Sequence, residues 1–273
     1  MQDPDHVRLL TLEADAIFGL EPPSSSPQPP SHRILRDPAL HALLIWSSRG
    51  VVTALSRALT TQLAVDPDSV VSQAAASIAA LARFRLQASS TLAMAPAYLV
   101  HLQDALGLPS HAIAGGPTWI VPDTLRTAPY SIEGLPVGVR IVTSLREEDR
   151  EWANGLLRPG NWEAEEWAQL LAATETNAPW AMAVLADDGE VVCICHTPAR
   201  NAQVVEAGVW TRDDWRGRGL APRTVAAWAT THAPDTTLFY STAKDNAASQ
   251  AVARKLGLRE FGYIWKLLAV AGR

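Results

Sequence analysis

The sequence predicts an α/β protein of the α+β type. A C-terminal mixed, mostly antiparallel sheet flanked by helices is expected beside a smaller N-terminal domain that is α/β or helical. Three observations predict this: apolar runs alternate with helical patterns after residue 137, a glycine- and arginine-rich turn follows one run, and a proline- and serine-rich segment interrupts the N-terminal part. The expected domains are residues 1–130, of unknown role, and residues 137–273.

The N-terminal part opens with an amphipathic pattern. Apolar residues recur at helical spacing and predict a helix over residues 5–18. Residues 21–31, "EPPSSSPQPPS", contain five prolines and four serines, which is typical of a flexible or polyproline-like connector. This segment therefore separates the first helix from the rest of the chain.

Four further elements are predicted before residue 110. They are a buried strand at 42–46, a helix at 50–64, a longer helix at 68–84 with Asp68 as its N-cap, and a helix at 96–107 ended by Gly107. A turn and a short strand follow around Trp119. No motif in this half indicates a chemistry.

After residue 137 the predicted order is β-α-α-β-β-β-α-β-α-β. The two helices after the first strand are charged, and Asn161 is the expected N-cap of the second. Residues 180–197 predict a hairpin, because Asp188-Gly189 supplies a tight turn between two apolar runs. The predicted segments are strand 137–144, helices 145–157 and 161–173, the hairpin, strand 204–211, helix 221–233, strand 236–242, helix 246–257 and strand 261–270.

Composition limits the classes of function. The 273 residues carry a formal net charge of −5, which gives no indication of binding to nucleic acid or to an anionic membrane surface. Cys193 and Cys195 are too close in sequence for an ordinary structural disulfide, and no signal peptide or membrane-spanning run occurs. A cytoplasmic location is therefore expected.

The turn "WRGRGLAPRTV", residues 215–225, is the strongest functional signal. Gly217 and Gly219 allow a positive φ and close approach of the backbone, and the first amides of a helix have no intrahelical partner. We therefore predict a pyrophosphate site here, formed by the amides of residues 217–221 and the side chains of Arg216 and Arg218. The alternative is that the glycines form only a tight turn. A Rossmann site is disfavoured by the preceding strands, and no P-loop motif occurs.

From residue 137 onward the sequence resembles the GCN5-related N-acetyltransferase (GNAT) superfamily. Two motifs carry the resemblance: Arg-x-x-Gly-x-Ala at 216–221, and "DNAASQAVARKLGL" at 245–258, which looks like the subset whose last helix reads Asn-x-x-Ser-x-x-x-Ala-x-Lys-Leu-Gly. The resemblance implies acetyl-CoA or coenzyme A as the acyl-donor substrate, with pantetheine lying between two strands that separate. The implied cofactor-binding residues are Val209, Trp210, Thr211, Arg216, Gly217, Arg218, Gly219, Leu220, Ala221, Asn246 and Ser249.

Several residues are candidates for the chemistry. Glu206 is the expected base, because a carboxylate inside "VVEAGV" is costly to bury without a function, although it could face solvent. His196 is a second candidate base, with a structural role as the alternative. The family's usual tyrosine is replaced by Ala253, so Tyr240 and Ser241 are the candidate acids, with a core role for Tyr240 as the alternative.

Other roles are open for several residues. Asn246 could instead cap the last helix. A zinc site is disfavoured because Cys193, Cys195 and His196 lack a second ligand pair at usable spacing, so no metal is expected. Trp162, Trp167 and Trp180 either wall an acceptor pocket or belong to the core.

The predicted function is acyl-CoA-dependent N-acylation, with acetyl-CoA as the default donor. A small-molecule amine is the expected acceptor and attacks directly in a ternary complex. The alternatives are O-acylation or decarboxylation on the same scaffold, and a non-catalytic module that binds acyl-CoA. No nucleic acid or membrane partner is expected, and the oligomeric state stays open, with a homodimer as one alternative.

Overall fold

The computed structural model describes residues 3–22, 33–62, 94–127, 133–172 and 178–269. The predicted helix at 68–84 and most of the connector at 21–31 lie outside these ranges. The chain forms two compact units: Met1–Trp119 with Ser241–Ala247 and Glu260–Arg273, and Ile120–Tyr240 with Ala248–Arg259. The consecutive domains expected from the sequence, 1–130 and 137–273, stay a prediction.

The first unit begins with the helix predicted from its apolar spacing. Helix α1 is Pro4–Phe18, and its N-cap Asp3 accepts hydrogen bonds from the amides of Asp5 and His6. The helix ends at Gly19, whose φ of 66° is unfavourable for other residues. Leu10 is fully buried, so the helix presents one apolar face to the interior.

A mixed sheet forms the rest of the first unit. Its strand order is β1-β3-β2-β10-β4, with β2 antiparallel to β3 and β10, and β1 parallel to β3. Helix α3 packs its buried side chains into a cluster that includes Trp265. The elements are β1 (Arg33–Leu35), β2 (Leu40–Trp46), β3 (Val51–Ser56), α2 (Arg57–Gln62), α3 (Ala97–Ala105), a 3-10 turn (Ser110–Ala112), β4 (Ile113–Ile120) and β10 (Arg259–Leu268).

One prediction in this unit is wrong. Residues 50–64 are expected from the sequence to form a helix, but Val51–Ser56 is the strand β3, and of the described residues in this range only Arg57–Gln62 is helical. The strand contains the β-branched run Val51, Val52 and Thr53, and its first five residues are all buried against neighbours on the sheet. Pairing with β2 along this length outweighs the local helical pattern.

The sheet of the second unit has the order β9-β8-β7-β6-β5. The pairs β5–β6, β6–β7 and β7–β8 are antiparallel, whereas β8–β9 is parallel. Gly189, with a φ of 71°, lies in the turn of the predicted hairpin. The strands are β5 (Val139–Thr143), β6 (Ala181–Leu185), β7 (Val191–Arg200), β8 (Val204–Thr211) and β9 (Thr237–Ser241).

Helices flank this sheet and confirm the predicted order of elements. The N-cap of α6 differs from the prediction: it is Glu163, which forms a capping box with Glu166, and not Asn161. Among the described residues, no helix is long and apolar enough to cross a membrane. The helices are α4 (Thr124–Thr127), α5 (Glu147–Ala153), α6 (Ala164–Leu171), α7 (Leu220–Ala229) and α8 (Ala247–Lys255), with a 3-10 turn at Asp213–Trp215.

A buried hydroxyl links α7 to the strand β7. Thr197 donates from its Oγ1 to the carbonyl of Pro179 (3.0 Å), and the same oxygen accepts a hydrogen bond from Nε1 of Trp228 in α7 (3.0 Å). Both Thr197 and Trp228 are buried. The hydroxyl therefore satisfies a donor and an acceptor that water cannot reach.

Replacing this hydroxyl by a methyl group tests the link. We expect Thr197→Val to lower the free energy of unfolding by about 2 kcal/mol, because a buried indole N–H and a carbonyl lose their partner. Thr197→Ser keeps the hydroxyl and should retain most of the stability. Urea unfolding of the three proteins measures the difference, and a valine variant as stable as wild type would contradict the expectation.

Candidate functional site

The glycine-rich turn opens α7 in the way the sequence predicts. Gly219 is the N-cap of α7, in the left-handed conformation (φ 73°, ψ 19°) and with no side-chain capping bond, and Gly217 has a φ of 76°. A Cβ on Gly219 would also lie 2.7 Å from Nη1 of Arg223. Glycine is therefore favoured by the backbone conformation, whereas the tip of the Arg223 side chain could move aside, and the first amides of α7 stay available to an anion.

The two arginines of the turn have protein partners in this structure. Arg216 forms an ion pair with Asp213 (2.7 Å), and both side chains are mostly exposed. The guanidinium of Arg218 lies over the ring of Trp215 (4.4 Å to the centroid) and donates to the carbonyl of Asp214. Such exposed pairs are weak, so a ligand with two negative charges can compete for these arginines.

Sequence reasoning missed two more cationic side chains at the turn. Arg223 donates to the carbonyls of Gly219 (2.9 Å) and Glu133 (2.7 Å), which places its charge inside the first turn of α7. The ammonium of Lys255, from the end of α8, lies 3.8 Å from the Cβ position of Gly219. The Lys-Leu-Gly part of the second motif contained the signal for Lys255, but only the fold brings it to the turn.

The strands β8 and β9 pair over a short length only. Val204–Glu206 faces Thr237–Phe239 in parallel register, and in the part of the chain that the structure describes the β8–β9 ladder ends there. Of the residues that follow Glu206 in β8, Gly208–Thr211 pair with β7 on the other side. One edge of this segment, which includes the predicted ligand residues Val209, Trp210 and Thr211, is therefore open toward β9, and the segment runs directly into the glycine-rich turn.

Glu206 lies at the point where the two strands separate. It stands opposite Ala199 in β7 and Phe239 in β9, and it is only 6% exposed. The alternative that its carboxylate faces open solvent is thus wrong. Its negative charge helps to raise the pKa values of Cys195 and Tyr240, which places it near both side chains.

His196 lies within β7, opposite Gly208 of β8. A Cβ on Gly208 would be 2.6 Å from Nε2 of His196 and 3.0 Å from Cγ of Pro198, so the imidazole occupies the space above this glycine. The ring also contacts Trp162 edge to face, with centroids 5.2 Å apart. Burial lowers the pKa of His196 to about 4, so the imidazole is neutral at pH 7.

Tyr240 is buried at the end of β9. Its hydroxyl shares a hydrogen bond with Oγ of Ser249 in α8 (2.6 Å) and lies 3.3 Å from the Ser249 carbonyl oxygen. Burial is the main cause that raises the pKa of Tyr240 to about 12, so the phenol keeps its proton at neutral pH. This protonated state is compatible with the predicted role of an acid.

The remaining positions considered from the sequence are divided between the two units. Ser241 and Asn246 belong to the first unit, and Asn246 directly precedes α8. Ala253, at the usual tyrosine position, is fully buried. Burial also raises the pKa values of Cys193 and Cys195, which keeps both thiols protonated and disfavours an acyl-cysteine intermediate.

A cavity of about 520 Å³ opens beside His196. Of the three tryptophans considered from the sequence, Trp162 lines this cavity, whereas Trp167 and Trp180 are buried in the core cluster under α6. The described residues contain no group of three or more metal-ligating side chains. The cavity is lined by Asn161, Trp162, Glu166, Gln169, Leu170, Ala178, His196, Thr197 and Pro198.

The site can now be compared with known proteins. Residues 142–259 match the family model described as the acetyltransferase (GNAT) domain. No curated protein matches the chain significantly in sequence. The matched range contains the glycine-rich turn, both separating strands and the residues around the cavity.

Three of the solved structures to which the chain is similar are distant from it in sequence. A GCN5-related N-acetyltransferase from Sphaerobacter thermophilus is 16% identical (TM-score 0.44, covering 65% of this chain and 58% of that one). One from Kribbella flavida is 18% identical (0.41, 62% and 65%). A tandem GNAT protein from the clavulanic acid biosynthesis pathway is 18% identical (0.43, 64% and 59%). The chain therefore spans less than two thirds of the length of each of these structures.

The specific motif of the last helix and the roles of the individual site residues stay predictions. The match of residues 142–259, together with the confirmed order of elements, shows that the C-terminal half of this chain carries an acetyltransferase domain of the GNAT superfamily.

Proposed function

We propose that the chain is an acyl-CoA-dependent N-acyltransferase that uses acetyl-CoA and acts on a small-molecule amine. The observation that carries the proposal is the early end of the β8–β9 ladder, which leaves Gly208–Thr211 with an open edge leading into the glycine-rich turn. An extended pantetheine chain fits such an edge as an added strand would. The pyrophosphate then falls at the start of α7.

The turn supplies what a pyrophosphate needs. The amides of residues 217–221 lie at the positive end of α7, and the charges of Arg216 and Arg218 stand beside them. Arg223 and Lys255 add two further positive charges near Gly219. Leu220 and Ala221 anchor the turn, since both pack against the apolar cluster beneath it.

The chemistry requires an electrophile, a base and a leaving group. A backbone amide of Gly208–Thr211 would polarise the thioester carbonyl and stabilise the charge that develops on its oxygen. The amine nitrogen attacks the carbonyl carbon, the C–S bond breaks, and the electron pair leaves with the CoA sulfur. Glu206 takes the proton from the amine, directly or through water. Tyr240, whose phenol stays protonated at neutral pH, is the proposed acid for the leaving thiolate.

Ligand-induced stabilisation tests the donor site. A ligand that binds only the folded state adds about 2.7 kcal/mol to stability at a hundredfold excess over Kd, so acetyl-CoA should raise the thermal midpoint by several degrees, whereas ATP and NAD should not do so. Gly219→Glu should abolish the rise, because it puts a strained, negatively charged side chain at the anion site. Differential scanning fluorimetry measures all of these midpoints.

Two further variants keep this test decisive. Gly160→Glu is the matched control, since Gly160 has no positive φ and its Cβ would meet nothing within 4 Å. Lys255→Gln changes an exposed side chain without straining the backbone and should reduce the shift in midpoint. A normal acetyl-CoA shift in Gly219→Glu would place the donor elsewhere.

The pH dependence of the rate tests the base. Glu206→Gln should lower kcat/KM by about a hundredfold at pH 6.5, because only the small neutral fraction of the amine can then react. The rate of the variant should rise as the pH increases toward the pKa of the amine, so the gap to wild type narrows. Steady-state CoA release between pH 6 and 9 gives the comparison.

His196→Gln is the companion variant for this measurement. If His196 were the base, its variant would show the large loss at low pH, and Glu206→Gln would keep the rate of wild type. That exchange of behaviour would reject the role of Glu206 while leaving the acyl transfer itself in place.

A further inference from the structure

The cavity beside His196 has a graded lining. Its rim is polar and exposed, formed by Asn161, Glu166 and Gln169 on and before α6. Its apolar lining residues are Trp162, Leu170, Ala178 and Pro198, of which Leu170 is buried and Trp162 and Ala178 are half-buried. A volume of about 520 Å³ lies in the range of small-molecule sites. A ligand would therefore place an apolar body inside and a polar or solvated end at the rim.

One lining residue of the cavity also contacts β8, the strand that is proposed to hold the thioester. His196 lines the cavity and at the same time covers Gly208 of β8. An amine that reacts at Gly208–Thr211 must therefore come to the His196 end. Its carbon skeleton then lies beside Trp162, a half-buried lining residue whose indole contacts the imidazole of His196. An indole is a suitable packing partner for an aromatic ring.

The charges of the lining distinguish between classes of amine. Among the described residues that line the cavity none is cationic, because the imidazole of His196 is neutral at pH 7 and the one ionised group is the carboxylate of Glu166. The nearby Arg158 donates to the carbonyl of Trp162 and is not part of the lining. A carboxylate next to the reacting amine would thus be desolvated at the floor without a partner, which is costly.

The lining also gives little stabilisation to a second ammonium group on the acceptor. Glu166 is the acid of the lining, and its Oε2 already accepts a hydrogen bond from the amide of Glu163 in the capping box. The apolar middle of the cavity offers aliphatic and indole surface where the chain of a diamine would have to run. An uncharged ring fills that space better.

We infer that the acceptor is a small arylalkylamine, a primary amine carried on a short chain with one aromatic ring, and that its carboxylated counterparts are excluded. This inference rests on the proposed function, since it assigns the cavity to the acceptor of the same reaction. Trp162 is the residue that determines specificity, and Glu166 adds repulsion of anionic acceptors at the rim.

Acceptor kinetics on the full chain test the inference. With saturating acetyl-CoA, phenethylamine should have a kcat/KM at least about tenfold above those of L-phenylalanine and 1,4-diaminobutane. Trp162→Ala should raise the KM for phenethylamine about tenfold and change kcat little, because the ring is removed from ground state and transition state alike. Trp162→Phe should restore most of the affinity.

Matched controls separate local from general effects. Glu166→Gln should raise kcat/KM for L-phenylalanine, whereas Glu165→Gln, on the same helix but outside the lining, should leave the panel unchanged. An unaltered acetyl-CoA shift in the thermal midpoint shows that each variant is folded.

Binding is followed separately, by saturation-transfer NMR of phenethylamine with wild type and Trp162→Ala. If phenethylamine binds in a way that depends on Trp162 but no amine is turned over, the ligand class would stand and the acyltransferase proposal would be overturned. Faster turnover of 1,4-diaminobutane or L-phenylalanine would sustain the acyltransferase and overturn the arylalkylamine class. Phenethylamine turnover that is insensitive to Trp162→Ala would overturn the assignment of the cavity.

Discussion

Parallel pairing between β8 and β9 lasts for three residues, and the candidate site depends on its early end. Had the ladder continued, the backbone groups of Gly208–Thr211 would be consumed on both edges and no extended ligand could lie between the strands. The ladder stops at Glu206, whose carboxylate is buried. Beyond this residue β8 has an open edge and connects directly to the glycine-rich turn. The groups proposed for binding and for chemistry thus lie along one strand.

The proposed acceptor side is organised by contacts of a different kind. Gly208 lacks a side chain, so the imidazole of His196 can lie over the strand, and Trp162 packs against that imidazole. Thr197, the next residue of β7, fixes the wall by bonding to Trp228 of α7. The strand β7 therefore both positions His196 and forms part of the cavity wall. The imidazole is neutral because it is buried, and not because of a charged partner.

Local signals were reliable where the chain itself imposes the conformation. The helix at 5–18, the hairpin at Gly189 and the two positive-φ glycines of the turn follow from periodicity and from steric limits on the backbone. Residues 50–64 show the opposite case, since Val51–Ser56 contains a pattern compatible with either helix or strand, and only its pairing with β2 selects the strand. The cap of α6 was likewise misplaced by two residues, because Glu163 can form a capping box with Glu166.

By itself the sequence determined the order of elements after residue 137, the positive-φ glycines of the candidate anion site and the membership of this half in an acetyltransferase superfamily, since these depend on short-range spacing. The tertiary structure decided which groups meet. It brought Lys255 and Arg223 to Gly219, buried Glu206, gave His196 its neutral state and left Trp162 in the cavity while Trp167 and Trp180 entered the core. The physical reason is that burial and long-range contact set charge state and access, and neither is encoded in any local stretch of the chain.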